Sequence, residues 1–106
     1  MTKENFDTLI VGQGLAGTLL AWALVERGRR VLVVDAEKEP SASRVAAGIV
    51  TPITGQRLVK TWRLETMADT ATNFYRRVEA QLGATFFRQR TILRLLASEV
   101  EVQRWS

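Results

Sequence analysis

The stretch Gly12-Gln13-Gly14-Leu15-Ala16-Gly17, called the glycine loop below, decides the fold of this chain. Residues 6–11 before it end in three aliphatic side chains and predict a short buried strand. Residues 15–27 are rich in helix-forming side chains and are followed by Gly28, a typical residue just past a helix end. Residues 31–34 are four consecutive aliphatic side chains and predict a second strand. The sequence therefore predicts a βαβ unit with a parallel strand pair.

The spacing of the three glycines is typical of a dinucleotide-binding unit. There Gly12 would allow the tight turn, Gly14 would let the backbone approach a pyrophosphate, and Gly17 would bring helix and strand close together. Free amides and the positive end of the helix dipole would hold the pyrophosphate. Asp35 ends the second strand, where its carboxylate would accept hydrogen bonds from ribose hydroxyls. The alternative is that these are ordinary turn glycines and that Asp35 is a surface acid.

Composition narrows the possible functions. The 106 residues are 46% apolar and 25% charged, which is typical of one globular domain. Cysteine and histidine are both absent, so the chain cannot build a disulfide, a thiolate metal site, a cysteine nucleophile or an imidazole base. We therefore expect no metal site, assign no catalytic residue, and expect a cofactor to supply the chemistry.

Charge and hydropathy patterning bear on location and partners. The longest apolar run, residues 15–25, is far shorter than the roughly 20 residues that cross a bilayer, so we expect no membrane span. The start of the chain lacks a secretory signal, which with the missing cysteines favours the cytoplasm. The net charge is +4, but the bases are interleaved with acids, which argues against a nucleic-acid partner. The helix over residues 15–27 is apolar all round, so we expect a later part of a longer polypeptide or a partner to cover it.

The second half of the chain departs from a simple alternation of strands and helices. Periodicity lapses after Asp35 for about 24 residues that are too apolar for a solvated linker, which indicates a functional loop with one helical turn over residues 43–47. A long helix is predicted over residues 61–82, followed by strands over residues 85–88 and 91–96. Ser98-Glu99-Val100-Glu101 is a capping box that predicts one more helix, close to the last residue. This order favours FAD over NAD as the dinucleotide.

Residues 7–17, 31–35, 41–48 and 90–95 together resemble the start of a D-amino-acid oxidase type (glycine oxidase-like) FAD-dependent oxidoreductase. The segment Ser41-Ala42-Ser43-Arg44-Val45-Ala46-Ala47-Gly48 and the predicted strand pair carry the narrower part of this resemblance. The resemblance implies that the segment after the second strand wraps the cofactor. The predicted cofactor-binding residues are then Gly12, Gly14, Leu15, Ala16, Gly17, Asp35, Ala36, Ser43, Arg44, Ala47 and Gly48. For Ser43 and Arg44, the alternative is a capped helical turn with an exposed base.

The resemblance also implies a domain organisation and an activity. The fold class is α/β, with a Rossmann-like FAD-binding start over residues 1–60. A long helix and the first antiparallel strands of an incomplete substrate domain would follow over residues 61–106. The parent enzyme would oxidise a carbon-nitrogen bond of an amine or amino acid by hydride transfer to FAD, and this truncated chain would itself be inactive.

Three alternatives stay open at this point. The first is a nicotinamide-dependent dehydrogenase or a free-standing nucleotide-binding module. The second is a non-enzymatic interaction module that forms a homo-oligomer through its apolar helix. The third is a flavoenzyme that acts on modified tRNA, to which the scattered bases lend little support.

Overall fold

The computed structural model describes residues 4–54 and 58–105. Within that part the chain is mixed α/β and divides into two compact units, whose described residues are 4–49 in the first and 50–54 and 58–105 in the second. The predicted assignment of residues 1–60 to a cofactor domain and residues 61–106 to a substrate domain stays a prediction.

The first unit contains strand β1 (Thr8–Val11), helix α1 (Leu15–Glu26), strand β2 (Val31–Val34) and the single-turn helix α2 (Ala42–Val45). β1 and β2 pair in parallel, with Thr8 opposite Val31 and Val11 opposite Val34. The predicted order of strand, helix and parallel strand is therefore confirmed. The amide of Gly12 donates to the carbonyl of Val34 at 2.7 Å, which carries the hydrogen bonding one residue beyond β1.

α1 packs on β1 and β2, and Ile10 is the buried side chain of this contact. Successive strand residues point to opposite faces of the strand pair. The face opposite Ile10 and α1 therefore carries four aliphatic side chains, all exposed: Leu9, Val11, Leu32 and Val34. Leu15, Leu20 and Val25 of α1 are also more than half exposed, at 57%, 51% and 59%. Apolar surface thus remains on both sides of this unit.

An aspartate joins the beginnings of the two parallel strands. Asp7 Oδ2 accepts a hydrogen bond from the Arg30 amide at 2.8 Å, and the Asp7 amide donates to the Arg30 carbonyl at 2.8 Å. The Arg30 guanidinium lies 3.6 Å from the same carboxylate. These interactions with Arg30 lower the pKa of Asp7 below its ordinary value.

The second unit contains strands β3 (Ile53–Thr54) and β4 (Val59–Lys60), helix α3 (Leu64–Leu82) and helix α4 (Glu99–Trp105). β3 and β4 form a short antiparallel pair that the sequence did not predict. The amide of Thr61 donates to the carbonyl of Pro52 at 2.9 Å and so continues this pairing. The long helix was predicted to begin at residue 61, but it begins at Leu64, after this pairing ends.

The predicted strands over residues 85–88 and 91–96 are wrong, because residues 84–97 contain no strand. Glu79 explains part of this difference: its Oε1 accepts the amides of Phe86 and Phe87, both at 2.7 Å, so these amides do not serve a strand partner. Farther along, Leu93 and Leu95 are each 93% exposed. A two-stranded hairpin without further packing is only marginally stable, and the exposed Leu93 and Leu95 give the second predicted strand no packed face.

The capping box at the start of α4 is confirmed, with one variation. The Glu101 amide donates to Ser98 Oγ at 3.3 Å, as expected for a capping serine. The Glu101 carboxylate accepts the amide of Ala97 at 2.6 Å, one residue earlier than the usual pattern. Among the helices in residues 4–54 and 58–105, none has the length and apolarity to cross a membrane.

Candidate functional site

The three glycines of the glycine loop are required for three different physical reasons. Gly12 has φ +102°, a conformation that side chains rarely adopt, although a Cβ there would meet nothing within 4 Å. Gly17 has the opposite constraint, because a Cβ would lie 2.0 Å from the Gly12 carbonyl oxygen. Gly14 has ordinary extended backbone, at φ −73° and ψ −170°, and a Cβ there would lie 3.3 Å from Ser43 Oγ. The glycine loop therefore has no room for a side chain at Gly17, and at Gly14 it lies next to the Ser43 hydroxyl.

Asp35 directly follows β2 and accepts a hydrogen bond from the backbone of the glycine loop. Its Oδ2 accepts the Gln13 amide at 2.5 Å, and its Oδ1 accepts the Glu37 amide at 2.7 Å. These two amides, helped by the positive charge of Arg44, lower the pKa of Asp35 below its ordinary value. Asp35 is nevertheless exposed. A carboxylate has about four acceptor positions, so this one can accept further hydrogen bonds from a ligand.

Ser43 lies at the amino terminus of α1. Its Oγ accepts the amide of Leu15, the first residue of the helix, at 2.9 Å. The first hydrogen bond inside the helix runs from the Thr18 amide to the Gly14 carbonyl, at 2.9 Å. The amides of residues 15–17 therefore precede the helical ladder and point out of the helix end, where the dipole is positive. This end of the site is suited to an anion.

The remaining predicted site residues lie on the same unit but are not all brought to the glycine loop. Ala16 is the second residue of α1, and Ala36 follows Asp35 directly. Arg44 forms an ion pair with Glu39, with three quarters of its side chain exposed. No hydrogen bond in the described ranges joins Ala47 or Gly48 to the glycine loop, and Gly48 adopts φ +66°. The binding roles of all these residues remain predictions.

Two residues of the site were missed by the sequence analysis, Gln13 and Glu37. Both contribute a backbone amide to Asp35, so their side-chain types carry no signal. The Glu37 contact spans two residues and is the local turn that aspartate commonly forms, so the aspartate at position 35 is itself its sequence signal. The Gln13 contact spans 22 residues and depends on the pairing of β1 with β2.

The arrangement combines a cluster of donors with a nearby acceptor. The donors are the amides at the start of α1 together with the Ser43 hydroxyl, and the acceptor is the Asp35 carboxylate. Such a site can hold an anion at one place and a pair of hydroxyls at the other. The described ranges contain no group of three or more His, Cys, Asp or Glu residues that could hold a metal ion.

Similar sequences occur in proteins named FixC and in an uncharacterized oxidoreductase. Protein FixC of Rhizobium meliloti (strain 1021) is 38% identical over 50 residues, which are 47% of this chain and 12% of FixC. The uncharacterized oxidoreductase YurR of Bacillus subtilis (strain 168) is 41% identical over 54 residues, 51% of this chain and 14% of YurR. The matched segments thus span at most about one seventh of these relatives. No solved structure matches the chain.

A family model agrees with the chemistry of the site over almost the whole chain. The model describes FAD dependent oxidoreductases and matches residues 7–106, which include the glycine loop, Asp35 and Ser43. Proteins of this family bind FAD, whose diphosphate is an anion and whose ribose carries a pair of hydroxyls. The chain therefore belongs to the family of FAD dependent oxidoreductases.

Proposed function

We propose that this chain is the amino-terminal, FAD-binding part of an oxidoreductase that oxidises the carbon-nitrogen bond of an amine or amino acid. The observation that carries the cofactor part is the convergence of Asp35 and Ser43 on successive amides of the glycine loop, those of Gln13 and Leu15. The substrate class rests on the resemblance of residues 41–48 to D-amino-acid oxidase type enzymes.

The diphosphate of FAD would lie at the start of α1. The amides of Ala16 and Gly17 and the helix dipole would stabilise its negative charge. Ser43 accepts the Leu15 amide through a lone pair, which leaves its hydroxyl proton to donate to a phosphate oxygen. The absence of a Cβ at Gly14 keeps the backbone accessible on the side that Ser43 borders. The residues present therefore fit a diphosphate.

The adenosine ribose would bind at Asp35. Its carboxylate is exposed, and both its oxygens are oriented by backbone amides. An aspartate is ionised at neutral pH, and the two amides lower the pKa of Asp35 further, so the group would accept hydrogen bonds from both ribose hydroxyls as a carboxylate. The same negative charge would repel a 2′-phosphate, which FAD lacks.

The rest of the segment after β2, residues 36–49, would cover the cofactor and is called the wrapping loop below. Ala36 and Ala47 would give it apolar contacts, Gly48 would supply a turn with positive φ, and Arg44 would add positive charge near the diphosphate. Arg44 would have to share its guanidinium with Glu39. In the parent enzyme, bound FAD would supply the chemistry, as the acceptor of a hydride from the carbon that bears the nitrogen. The chain supplies binding and orientation.

A titration with FAD tests this proposal directly. Flavin fluorescence is followed as the purified 106-residue chain is added, for the wild type, Asp35→Ala and the control Asp7→Ala. Asp7 is a matched control because its carboxylate also accepts a backbone amide but lies at the opposite end of the parallel strand pair. We expect Asp35→Ala to weaken FAD binding about tenfold or more, since hydrogen bonds to a charged group are lost, and Asp7→Ala to bind as the wild type does.

Each other outcome has a clear meaning. Equal affinity of Asp35→Ala and wild type would remove Asp35 from the ribose site. Tighter binding of NAD than of FAD would favour the nicotinamide alternative, and no binding of either would overturn the assignment of the cofactor site to this chain. We expect no amine oxidation by the isolated chain, because none of its residues is assigned to a substrate.

A further inference from the structure

Ser43 has a structural task at α1 that does not depend on any ligand. We propose that Ser43 caps α1 from 28 residues away, and that position 14 is a glycine because a side chain there would displace the Ser43 hydroxyl. Ser43 is in this sense a positioning residue, which holds the wrapping loop against the glycine loop before a cofactor binds. The cofactor consequence rests on the proposed function, whereas the capping does not.

α1 lacks a cap of its own. The residue at its N-cap position is Gly14, which has no side chain to accept an amide. Helix starts leave several amides without an intrahelical partner, and Ser, Thr, Asp and Asn are preferred at the N-cap because their side chains accept one of them. Here Ser43 Oγ accepts the Leu15 amide at 2.9 Å. The acceptor is thus supplied by another segment of the same unit.

The backbone at position 14 does not require glycine. Its φ of −73° and ψ of −170° are extended values that any residue adopts. Gly12 and Gly17 are different, because a positive φ and a close carbonyl oxygen explain their small size without the wrapping loop. At Gly14, the nearest heavy atom to an added Cβ is Ser43 Oγ, at 3.3 Å. Such a contact is tight enough to displace that oxygen by a few tenths of an ångström.

The turn α2 determines where Ser43 points. The carbonyl of Ser41 accepts the amides of Arg44 and Val45 at 3.1 and 3.2 Å, and the amide of Ala46 donates to the Ala42 carbonyl at 3.0 Å. These bonds form one helical turn around Ser43. Ser41, two residues away, forms no side-chain capping bond to α2. The loop therefore offers one serine that caps α1 and a neighbouring serine that serves as a control.

Amide hydrogen exchange in the flavin-free 106-residue chain tests the cap. Exchange at Leu15 is followed by NMR in the wild type, Ser43→Ala, Ser43→Thr and Ser41→Ala. We expect Ser43→Ala to exchange about fivefold faster at Leu15, the size of a typical lost cap. Ser43→Thr keeps a hydroxyl and should retain most of the protection, and Ser41→Ala should match the wild type. Equal exchange at Leu15 in Ser43→Ala and wild type would overturn the proposal.

A double-mutant cycle tests the reason for glycine at position 14. We expect Gly14→Ala to accelerate Leu15 exchange severalfold in the wild type but less than twofold in a Ser43→Ala background, because the displaced hydroxyl is already missing there. The same acceleration in both backgrounds would show that Ser43 is not the reason for the glycine. If Gly14→Ala does not fold, the comparison of Ser43→Thr with Ser43→Ala still decides whether the cap exists.

The outcome is separable from that of the proposed function. All exchange measurements are made without flavin, so a chain that fails to bind FAD can still show the cap and its coupling to Gly14. Conversely, tight FAD binding together with equal Leu15 exchange in wild type and Ser43→Ala would support the proposed function and overturn this inference.

Discussion

Substitution of Gly17 by alanine would place a methyl group inside the contact between α1 and the start of the glycine loop. The added Cβ would lie 2.0 Å from the Gly12 carbonyl oxygen, 3.1 Å from the Gly12 carbonyl carbon and 3.5 Å from Ile10 Cγ2. The first of these distances is more than 1 Å shorter than an ordinary carbon-oxygen contact of roughly 3.3 Å. Two backbone segments would therefore have to separate, and no flexible side chain could absorb the change.

Two opposite effects determine the sign of this change. Replacing a helical glycine by alanine stabilises a helix by about 1 kcal/mol when space is free. Forcing an extra methyl group into a packed contact costs typically about 1–3 kcal/mol and more when backbone must move. Because the clash at Gly17 is with backbone, we expect a net loss of about 2 kcal/mol or more, a large share of the stability of a small domain.

Urea unfolding followed by far-ultraviolet circular dichroism measures this loss, with Ala16→Ser as a control. Ala16 is the exposed neighbour of Gly17, so its substitution adds an atom on the open side of the same helix and should change stability by less than about 0.5 kcal/mol. FAD affinity should also fall in Gly17→Ala. The clash would displace the start of α1, and with it the Leu15 amide, from Ser43, so the proposed diphosphate site would lose its geometry. A variant as stable as the wild type, or more stable, would refute the close packing of α1 on the glycine loop.

Three further predictions concern other carboxylates and caps. The pKa of Asp35 is lowered in the folded state, so its contribution to stability is present above the unfolded pKa near 3.8 and is lost as pH falls through the lower folded pKa. Asp35→Asn should therefore make the free energy of unfolding depend less on pH in that range, as measured by urea unfolding at several acidic pH values. Glu79→Ala should accelerate hydrogen exchange at the amides of Phe86 and Phe87, which donate to its carboxylate, whereas substitution of the exposed Asp69 by alanine should not. Unchanged exchange in Glu79→Ala would contradict the role of these two hydrogen bonds. Ser98→Ala should reduce the helicity of α4 by removing a cap worth about 1 kcal/mol, and nuclear magnetic resonance shifts over α4 that match the wild type would contradict it.

Local sequence patterns predicted the elements whose determinants are local. Residues 31–34 are a run of aliphatic side chains, and β2 has these bounds. α1 and α3 end where a glycine follows, because Gly28 and Gly83 adopt positive φ at φ +71° and φ +62°. The capping box before α4 likewise depends on residues three apart. For the helices the deciding interactions lie within about one turn of the chain, and for β2 the signal is the aliphatic run itself.

The parallel pairing of β1 with β2 was predicted correctly, but the contacts that decide the second unit were not. Residues 85–88 and 91–96 were predicted to be two strands. The Glu79 carboxylate instead accepts the amides of Phe86 and Phe87, and Tyr75 stacks on Phe87 with ring centres 4.8 Å apart. Glu79 is 8% exposed and also accepts a hydrogen bond from Arg76 at 2.8 Å. The sequence analysis did not predict that this acid is buried. The pairing of β3 with β4 was missed because two-residue strands carry no periodicity.

The candidate site divides in the same way. The glycine spacing and the acid after the second strand are readable from the sequence, since each depends on its place relative to one strand or helix. That Asp35 reaches the Gln13 amide and that Ser43 reaches the Leu15 amide is decided only when β1 pairs with β2 and the wrapping loop returns to α1. Contacts across 22 and 28 residues leave no periodic trace, because they depend on where separate segments meet in space.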